Sequence, residues 1–460
     1  MKFPEEFIKR LQGQKYIDSS SLQDALRNRS PVSIRINHLK WNKRPSDSRP
    51  VPWCTSGYYL EKRPSYTLDP LFHAGCYYPQ EASGMFLEHI FRSFFKSGAK
   101  LKVLDLCGAP GGKSTHLSSL TGYDGLLVAN EVIRSRANIL AENITKWGMS
   151  NTIVTQSDPS DFGVLTGFFD IILVDAPCSG EGMFRNPVAV REWSVENTIL
   201  SSDRQKRILM DIWPALREEG ILIYSTCTFN PGENEHNIRW LLDRHEAESV
   251  KIDISDFNGI KEIDYQGIAG YGFYPDKVEG EGLFISVLRK RDRSINKLIK
   301  SNKKIDIKLS KDDTLSIKKL INITGDNLIR IGNDIFKAAV EINDFQSISR
   351  GIKIVSPGTK ICTVKNRDYL PSHELALSCF IRKDAFQVAD LDYDQAVAFL
   401  KRENIKIQSR FEGWFIASYN GVKMGFAKNI GSRINNYYPV EWRIRMIASG
   451  DEKERLIVWS

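Results

Sequence analysis

The sequence predicts an α/β protein whose central region folds as a mostly parallel, doubly wound sheet. Between residues 81 and 290, short apolar runs typical of buried strands alternate with longer helical patterns. This alternation is typical of strand–helix–strand units, in which helices cover both faces of a parallel sheet. Three of the predicted strands are followed at once by loops that contain cysteine together with glycine or proline. Ligands of open α/β sheets bind outside the carboxyl ends of the strands, so these loops are expected to meet in one crevice.

The hydrophobic pattern gives the order of the elements within this central region. The predicted strands are 102–106, 126–131, 152–156, 170–175 and 220–225. The predicted helices are 113–120, 134–146, 201–217 and 233–244. A β-hairpin is expected after them, with its strands near 272–275 and 282–289.

Composition divides the rest of the chain into smaller units. Residues 1–80 form a first segment, with a short helix, a strand at 31–37 and then scattered prolines that mark irregular structure. The basic stretch 291–304 is predicted to be a linker, and 305–385 a small β-rich domain. The last unit is predicted to span 386–460. Its expected elements are a helix at 393–402 and strands at 414–419, 422–427 and 442–446.

The composition is that of a protein without membrane spans or disulfides. The chain has 64 basic and 56 acidic residues, and its net charge of +8 permits a nucleic-acid partner without proving one. No apolar stretch approaches the roughly 18 residues that span a bilayer, and the N-terminal residues lack the apolar core of a signal peptide. The seven cysteines are scattered without a Cys-x-x-Cys pair, which argues against a zinc ribbon and a disulfide framework. We therefore expect a cytoplasmic protein with no bound metal and no membrane partner.

The first of the three loops has the composition of a site for a nucleotide-like cofactor. Its glycines lack Cβ atoms, and the helix after it offers free backbone N–H groups. Glu131, at the end of the next strand, is placed to accept hydrogen bonds from ribose hydroxyls. Asp158, after the third strand, is placed to face an adenine ring. The loop itself comprises Cys107, Gly108, Ala109, Pro110, Gly111, Gly112 and Lys113.

The choice of cofactor follows from what this loop lacks. Gly112-Lys113-Ser114 imitates the end of a P-loop, but that motif requires glycine at the position of Cys107. Pro110 removes one of the N–H groups that a phosphate cradle needs. The dinucleotide pattern Gly-x-Gly-x-x-Gly is also absent. S-adenosylmethionine has ribose and adenine but no phosphate, and therefore fits better than a phosphorylated nucleotide.

The other two loops each present a cysteine after a buried strand. Cys178 ends an Asp-Ala-Pro-Cys run that begins at Asp175, and Cys227 lies in a Ser-Thr-Cys-Thr run. Two thiols beside a methyl donor indicate methylation of a pyrimidine ring, because a thiolate that adds to C6 of cytosine makes C5 nucleophilic. One thiol would attack C6 and the other would assist breakdown of the adduct, and the pattern leaves open which does which. Asp175 is placed to stabilise the adduct by hydrogen bonding to N3 or to the N4 amino group.

At these motifs the chain resembles the RNA cytosine-5 methyltransferases of the RsmB/RsmF and Nop2/Sun type. The likeness lies in the 107–113 loop, the 175–185 run and the 225–235 run, which occur in the family's order. The resemblance implies a Rossmann-like, S-adenosylmethionine-dependent methyltransferase domain in which Cys227 is the nucleophile and Cys178 assists product release. The residues that it implies at or beside the cofactor are 107–113, Glu131, Asp158 and Asp175.

Both flanks resemble the same family. Residues 31–37 and 68–86 are similar to the small α+β N-terminal segment of RsmF-like enzymes, and 413–446 are similar to their PUA-like module. The implied partner is structured RNA, with small-subunit ribosomal RNA as the first candidate, bound by a monomer. Transfer RNA methylation, an RNA-binding assembly factor and, more distantly, a P-loop ATPase are the alternatives.

The last unit also supplies candidate RNA contacts. Basic and aromatic groups together suit phosphates and unstacked bases. Two of the aromatic residues, Trp414 and Trp442, could equally fill the core of a small β-barrel. The full set of candidates is Lys423, Lys428, Arg433, Arg443 and Arg445 with Trp414, Tyr437, Tyr438 and Trp442.

Overall fold

The computed structural model describes residues 2–96, 98–293, 309–322, 327–366, 368–407, 412–446 and 452–460. Residues 294–304, which are most of the predicted basic linker, therefore lie outside the described residues. Among the helices of the described part, none is both long enough and apolar enough to cross a membrane.

The N-terminal segment combines short helices with a small antiparallel sheet. Its helices, with the one that follows the segment, are α1 Glu5–Gln12, α2 Ser19–Arg27, α3 Pro70–His73 and α4 Leu87–Phe94. Its strands are β1 Val32–Ile36, β2 Ser48–Pro50, β3 Gly57–Leu60 and β4 Tyr77–Pro79, and they lie side by side in the order β2-β3-β1-β4. Asp18 and Asp69 accept hydrogen bonds from backbone N–H groups at the starts of α2 and α3, which explains why these helices begin there.

A large sheet follows, and its central strands are parallel. Its strands are β5 Lys102–Asp105, β6 Leu126–Asn130, β7 Thr152–Thr155, β8 Phe169–Asp175, β9 Leu216–Thr226, β10 Ala247–Ser249, β11 Lys261–Tyr265, β12 Ile268–Phe273 and β13 Leu283–Lys290. The helices between them are α5 Gly112–Thr121, α6 Arg134–Trp147, α7 Pro187–Glu192, α8 Val195–Ile212 and α9 Glu235–Leu242. The parallel strands lie in the order β9-β8-β5-β6-β7, and β13, β12 and β11 extend the sheet antiparallel beyond β9.

Alternate residues of the parallel strands pack into two separate cores, one on each face of the sheet. Leu104 and Ile172 belong to the core that α8 and α9 cover. Val103 and Ile171 belong to the core that α4, α5 and α6 cover. The predicted doubly wound α/β sheet is therefore confirmed, while β10 and β11 were not predicted.

After residue 309 the chain forms two smaller sheets and returns once to the large one. The helices here are α10 Lys311–Lys318, α11 Ile342–Ile348, α12 His373–Leu377 and α13 Tyr393–Leu400. The strands are β14 Leu328–Ile331, β15 Asp334–Ala338, β16 Ile354–Ser356, β17 Gly358–Lys365, β18 Asp368–Pro371, β19 Gln387–Leu391, β20 Gly413–Tyr419, β21 Val422–Asn429 and β22 Ile434–Asn436. Strands β14, β15, β17 and β18 form one sheet, but β16 pairs with β7 of the large sheet. The predicted 305–385 unit therefore contributes an edge strand to its neighbour.

Shared hydrophobic cores join the flanking units to each other. Ile34 of the N-terminal segment packs in one core with Phe399 and Phe415 of the last unit. Ile416 packs instead with Ile361 of the preceding sheet. Phe415 and Ile416 are neighbours on β20, so their side chains point to opposite faces of the sheet. The last unit is therefore held between the N-terminal segment and the 305–385 region.

The predicted helix 201–217 is wrong at both ends. The helix begins at Val195 and ends at Ile212. Pro214 has no N–H with which to continue the helical hydrogen bonds, and a short 3-10 turn replaces the helix there. Leu216, the start of β9, already pairs with β8.

The predicted strand 442–446 is also wrong, because this run is irregular. Strand β22 already pairs with β21 at that edge of the sheet. The Ile444 N–H donates instead to the carbonyl of Leu400 at the end of α13, and the Ile444 side chain is buried. The apolar alternation of the run reflects the docking of an irregular segment against a helix.

One buried amide joins the loops that leave three neighbouring parallel strands. Asn130, at the end of β6, donates from Nδ2 to the carbonyls of Leu106 and Ser157 at 3.1 and 3.0 Å. Its Oδ1 accepts from Thr155 Oγ1 and from the Ser157 N–H at 2.8 and 3.0 Å. These four bonds hold the starts of the loops after β5 and β7 beside the end of β6.

Replacement of this amide tests its role in the fold. Asn130→Ala should lower the free energy of unfolding by about 2–4 kcal/mol, because buried carbonyl, hydroxyl and N–H groups lose their partner. Equilibrium denaturation followed by circular dichroism measures the loss. The exposed Asn138→Ala on α6 is the matched control and should stay within about 0.5 kcal/mol of the unsubstituted chain. Equal stability of the two variants would show that the amide does not hold these loops.

Candidate active site

The structure brings the two predicted thiols together at the carboxyl edge of the sheet. Strands β8 and β9 are parallel, and their register places Asp175 opposite Ser225 near the strand ends. The chain then turns in both loops, and the sulfur atoms of Cys178 and Cys227 lie 3.2 Å apart. Both side chains are partly exposed, so a ligand in the crevice can reach them.

The two thiols differ in their environment. The hydrogen bond with Cys227 and burial hold the pKa of the Cys178 thiol well above its ordinary value. Cys178 therefore keeps its proton at neutral pH, and its S–H can donate to the Cys227 sulfur. Cys227 also contacts the sulfur of Met183 at 3.8 Å. The proton of the Cys178 thiol therefore lies next to the Cys227 sulfur atom.

Asp175 ends β8, three residues before Cys178, and is held at both of its oxygens. Its Oδ1 accepts from Ser225 Oγ at 2.7 Å, and its Oδ2 accepts from Lys113 Nζ at 2.8 Å. Burial opposes the charge of Lys113, but Asp175 prevails and holds the pKa of this lysine above its ordinary value. The predicted cofactor loop, to which Lys113 belongs, is therefore joined by an ion pair to the strand that leads to Cys178.

The buried carboxylate of Glu233, which the sequence analysis missed, links the Cys178 loop to the Cys227 loop through hydrogen bonds. Glu233 Oε2 accepts from the Ser179 N–H at 2.9 Å and from Gln205 Nε2 at 3.0 Å. Glu233 Oε1 accepts from Ser179 Oγ at 2.5 Å and from Asn230 Nδ2 at 3.1 Å. Four donors compensate the burial of this charge, and they come from both loops and from α8.

Glu181 provides a second link between the two cysteine loops. Its Oε2 accepts from the Phe229 N–H at 3.2 Å, and its Oε1 accepts from Trp193 Nε1 at 2.9 Å. It also forms an ion pair with Arg10 of α1, which connects the N-terminal segment to the candidate site. Glu181 and Glu233 follow the two cysteines by three and six residues, so acidic residues close after each thiol were the available signal.

Gly182 allows the two cysteine loops to touch through their backbones. Its N–H donates to the carbonyl of Cys227 at 2.9 Å. A Cβ atom at Gly182 would lie 2.6 Å from the carbonyl oxygen of Gly282, which is too close for any side chain. Glycine is therefore required at this position for the loops to meet.

The cofactor loop is held by a buried carboxyl that the sequence analysis also missed. Ser114 Oγ donates to Asp105 Oδ2 at 2.6 Å and lies 3.2 Å from the Gly108 carbonyl. Burial raises the pKa of Asp105 to about 7, although the hydrogen bond from Ser114 opposes this. A Cβ atom at Gly108 would lie 2.6 Å from Ser114 Oγ. Within the described residues, Asp105 Oδ1 is buried and has no hydrogen-bond partner.

The rest of the loop is anchored from α6 and by burial of its first side chain. Arg136 donates to the carbonyl of Ala109, and Asn143 donates to that of Pro110. Gly111 has a φ of 127°, which side chains rarely adopt, and it precedes the first residue of α5, Gly112. Burial raises the pKa of Cys107, whose thiol packs against the core.

The two other predicted cofactor residues lie at the ends of the next strands. Glu131 is buried; its Oε1 accepts from the Ile133 N–H at 3.0 Å, and its Oε2 lies 3.3 Å from Arg136. Asp158 caps the short 3-10 helix Pro159–Leu165 and lies 3.3 Å from Arg207. The Asn130 amide keeps both positions at the same edge as the glycine-rich loop.

The aromatic candidates of the last unit divide between core and surface. Tyr438 is 1% exposed, so the expectation that it contacts RNA is wrong. Trp442 is half-buried and packs edge-on against the His373 ring at 5.2 Å. Trp414 is half-buried and packs on the exposed Tyr437 at 4.4 Å. The basic candidates of this unit that are exposed are Arg433, Arg443 and Arg445, whereas Lys423 and Lys428 are half-buried.

Three family models match the chain, each over a different part. The model described as 16S rRNA methyltransferase RsmB/F matches residues 96–289. The N-terminal domain of 16S rRNA methyltransferase RsmF matches residues 3–82, and the methyltransferase RsmF PUA domain matches residues 386–444. Together they cover both flanks and the sheet that carries the two cysteines.

Relatives named ribosomal RNA small subunit methyltransferase F are similar along most of the chain. The relative from Klebsiella pneumoniae is 30% identical over 438 residues, which cover 89% of this chain and 89% of the relative. The relative from Shewanella piezotolerans is 29% identical over 433 residues, with 88% and 90% covered.

Two solved structures from Pyrococcus horikoshii share the central fold. A methyltransferase homologue matches with a TM-score of 0.53 and 28% identity over 63% of this chain and 95% of its own. NSun6, solved with the S-adenosylmethionine analogue SFG, matches with a TM-score of 0.52 and 21% identity over 63% and 99%.

The role of Glu233 in linking the two cysteine loops can be tested by measuring methyl transfer. Glu233→Gln should slow the transfer by about 10- to 100-fold. The amide nitrogen of glutamine cannot accept hydrogen bonds from the donors around this position, so the link between the two cysteine loops would be weakened. Affinity for S-adenosylmethionine, measured by calorimetry, should stay within about twofold, because the glycine-rich loop is untouched. The matched control is Glu218→Gln, an exposed residue at the other end of β9. Unchanged single-turnover rates in Glu233→Gln would contradict the assignment.

Proposed function

This chain belongs to the RsmB/F family of 16S rRNA methyltransferases, and from this premise we propose that it methylates carbon 5 of a cytosine in small-subunit ribosomal RNA. The observation that carries the proposal is the 3.2 Å separation of the Cys178 and Cys227 sulfur atoms, in the loops that follow Asp175 and Ser225 at the strand ends. Neither RNA binding nor phosphate hydrolysis requires two adjacent thiols, whereas methylation at this carbon uses both.

The cofactor is S-adenosylmethionine, and the residues at the sheet edge fit it. Asp105 Oδ1 is buried and unpartnered within the described residues, and glycine at position 108 lets Ser114 Oγ approach the backbone and hold the other oxygen of this carboxyl. Glu131, at the end of β6, is the carboxylate proposed to accept from the ribose hydroxyls. Asp158 is the residue proposed beside the adenine. When bound, the cofactor supplies an electrophilic methyl group.

Attack on the pyrimidine ring is assigned to Cys227. The Cys178 S–H lies 3.2 Å from the Cys227 sulfur and can donate a hydrogen bond to it during the attack. A bond forms between the Cys227 sulfur and C6 of cytosine, and the electron pair of the C5–C6 double bond becomes available at C5. Asp175 accepts from the N4 amino group or from a protonated N3, which stabilises the charge that develops in the ring.

Release of the product reverses the covalent bond. After methylation, C5 loses its proton to solvent, the C5–C6 double bond forms again, and the bond between C6 and the Cys227 sulfur breaks. The sulfur departs as a thiolate, and the Cys178 S–H, 3.2 Å away, donates to it. Cys178 thereby lowers the energy of the departing group without bonding to the RNA.

Contacts to RNA beyond the target base are proposed for the last unit. A cavity of about 530 Å³ there is bordered by three cationic side chains and one carboxylate, and this excess of positive charge suits phosphates. The charged residues are Lys401, Glu403, Arg443 and Arg445. A monomeric state and a cytoplasmic location stay predictions from the sequence.

Removal of each thiol should have a different effect on methylation. Cys227→Ala should abolish methylation while S-adenosylmethionine still binds, because no sulfur remains to attack C6. Cys178→Ala should accumulate a covalent protein–RNA species that survives a denaturing gel, because the departing thiolate loses its donor. Bisulfite sequencing and gel electrophoresis measure the two outcomes.

Cys379, which lies outside the candidate site, provides a control for the removal of a thiol group. Cys379→Ala removes a half-buried thiol that the site does not use, and it should methylate normally. Trapping by Cys227→Ala instead of Cys178→Ala would reverse the two assignments. A slow Cys178→Ala with no trapped species would remove Cys178 from product release.

The ribose contact can be tested without RNA. Glu131→Ala should weaken the binding of S-adenosylmethionine by tenfold or more, because a charge-assisted hydrogen bond contributes about 1.5–3 kcal/mol. Isothermal titration calorimetry measures the affinity, and the exposed Glu192→Ala serves as the control. An unchanged affinity would remove Glu131 from the cofactor site.

A further inference from the structure

A buried cluster of cysteine, glutamate and histidine lies between the N-terminal segment and the helices α4 and α5. Cys54 lies between β2 and β3, Glu88 lies on α4, and His116 lies on α5. Cys54 Sγ is 3.2 Å from Glu88 Oε2 and 3.9 Å from His116 Nε2. His116 Nε2 is 3.1 Å from the same carboxylate oxygen. The three ligand atoms therefore face one another in a closed triangle.

The size of this triangle matches that of a zinc site. Zinc binds sulfur at about 2.3 Å and nitrogen or carboxylate oxygen at about 2.0–2.1 Å, which places tetrahedral ligand atoms about 3.3–3.6 Å apart. The separations of 3.1, 3.2 and 3.9 Å in the cluster lie a few tenths of an ångström from this range. Thiolate, imidazole and carboxylate are also the ligand types that zinc prefers.

Neighbouring groups hold the carboxylate in the orientation that a ligand needs. Glu88 Oε1 accepts from the Thr55 N–H at 3.2 Å and from Thr55 Oγ1 at 2.8 Å, and it pairs with Arg92 at 2.8 Å. These contacts occupy Oε1 and leave Oε2 toward Cys54 and His116. In metal sites, hydrogen bonds from neighbouring residues to the metal-binding side chains orient those side chains.

A fourth coordination position is available on the outer side of the cluster. Glu88 and His116 border a cavity of about 360 Å³, which is large enough for water. Cys54 is 3% exposed and closes the inner side. An ion held by the three residues would therefore meet water only from the cavity.

We propose that Cys54, Glu88 and His116 bind a Zn²⁺ ion, with water from the cavity in the fourth position. On binding, the Cys54 thiol releases its proton to solvent, and His116 carries its proton on Nδ1 so that Nε2 binds the metal. The charges of the buried Arg35 and of Arg92 act on the cluster and oppose a cation. The affinity is therefore lower than that of structural sites with four protein ligands.

The site joins the N-terminal segment to the helix that begins at the cofactor loop. Cys54 belongs to the segment, and α5, which carries His116, starts at Gly112. The expectation of no metal rested on the missing Cys-x-x-Cys pair. The ligands are separated by 34 and 28 residues, so no short motif could show them.

Cobalt is the probe for this site, because a thiolate bound to Co²⁺ gives a charge-transfer absorption that zinc does not. The reduced full-length chain is titrated with Co²⁺ under argon, and zinc is then added to displace it. Because Cys178 and Cys227 could also bind metal, the same titration is repeated in the Cys178→Ser/Cys227→Ser chain. We expect roughly one Co²⁺ per chain in that background, with the thiolate band present.

Substitutions within the cluster decide the assignment. Cys54→Ser should lose the band and at least tenfold in affinity, and His116→Gln should weaken binding while a side chain of similar size keeps the fold. Cys379→Ser should bind as the parent does. Zinc should raise the melting temperature of the parent but not of Cys54→Ser.

Two results would overturn the proposal. Retention of the thiolate band in Cys54→Ser and its loss in Cys178→Ser/Cys227→Ser would place the metal at the catalytic thiols. Absence of stoichiometric Co²⁺ and Zn²⁺ in a folded parent would show that the cluster is a hydrogen-bonded set only.

Discussion

The parallel register of β8 and β9 is the constraint on which the candidate site depends. It sets Asp175 opposite Ser225, and the loops that leave the two strands then place Cys178 and Cys227 3.2 Å apart. A shift of one residue would turn the side chains of one strand to the opposite face of the sheet. The two-sided burial of β8 and β9 prevents this shift, because both faces pack in separate cores.

Loops are mobile unless something fixes them, and here two buried carboxylates do so. Burial of a carboxylate is costly unless several donors compensate it. Glu233 accepts from four donors, and Glu181 accepts from Phe229, Trp193 and Arg10. Each joins residues of both cysteine loops, so the separation of the sulfur atoms is held by charge-assisted hydrogen bonds. Covalent chemistry needs this rigidity, because displacement by about 1 Å can cost a hundredfold in rate.

The N-terminal segment is part of the site architecture through several contacts. Arg10 of α1 reaches Glu181 beside the thiols, and Arg185 of the same loop donates to the Ala25 carbonyl at the end of α2. On the other side, Arg35 of β1 donates to Thr115 Oγ1 and to the Gly112 carbonyl at the start of α5. His116 of the Cys54 cluster lies on the same helix, directly after Thr115. The segment therefore supports both the cysteine loops and the helix of the cofactor loop.

The sequence by itself determined the doubly wound sheet, the order of its strands along the chain and the loops that carry Lys113, Asp175, Cys178 and Cys227. These features are local, because strand periodicity and loop chemistry act over a few neighbouring residues. Tertiary packing decided that Tyr438 is buried, that β16 joins the large sheet and that the run 442–446 docks on a helix. It also decided the contacts of Glu181, Glu233 and the Cys54 cluster. Those contacts join residues far apart in the chain, and no periodicity or spacing in the sequence encodes such a distance.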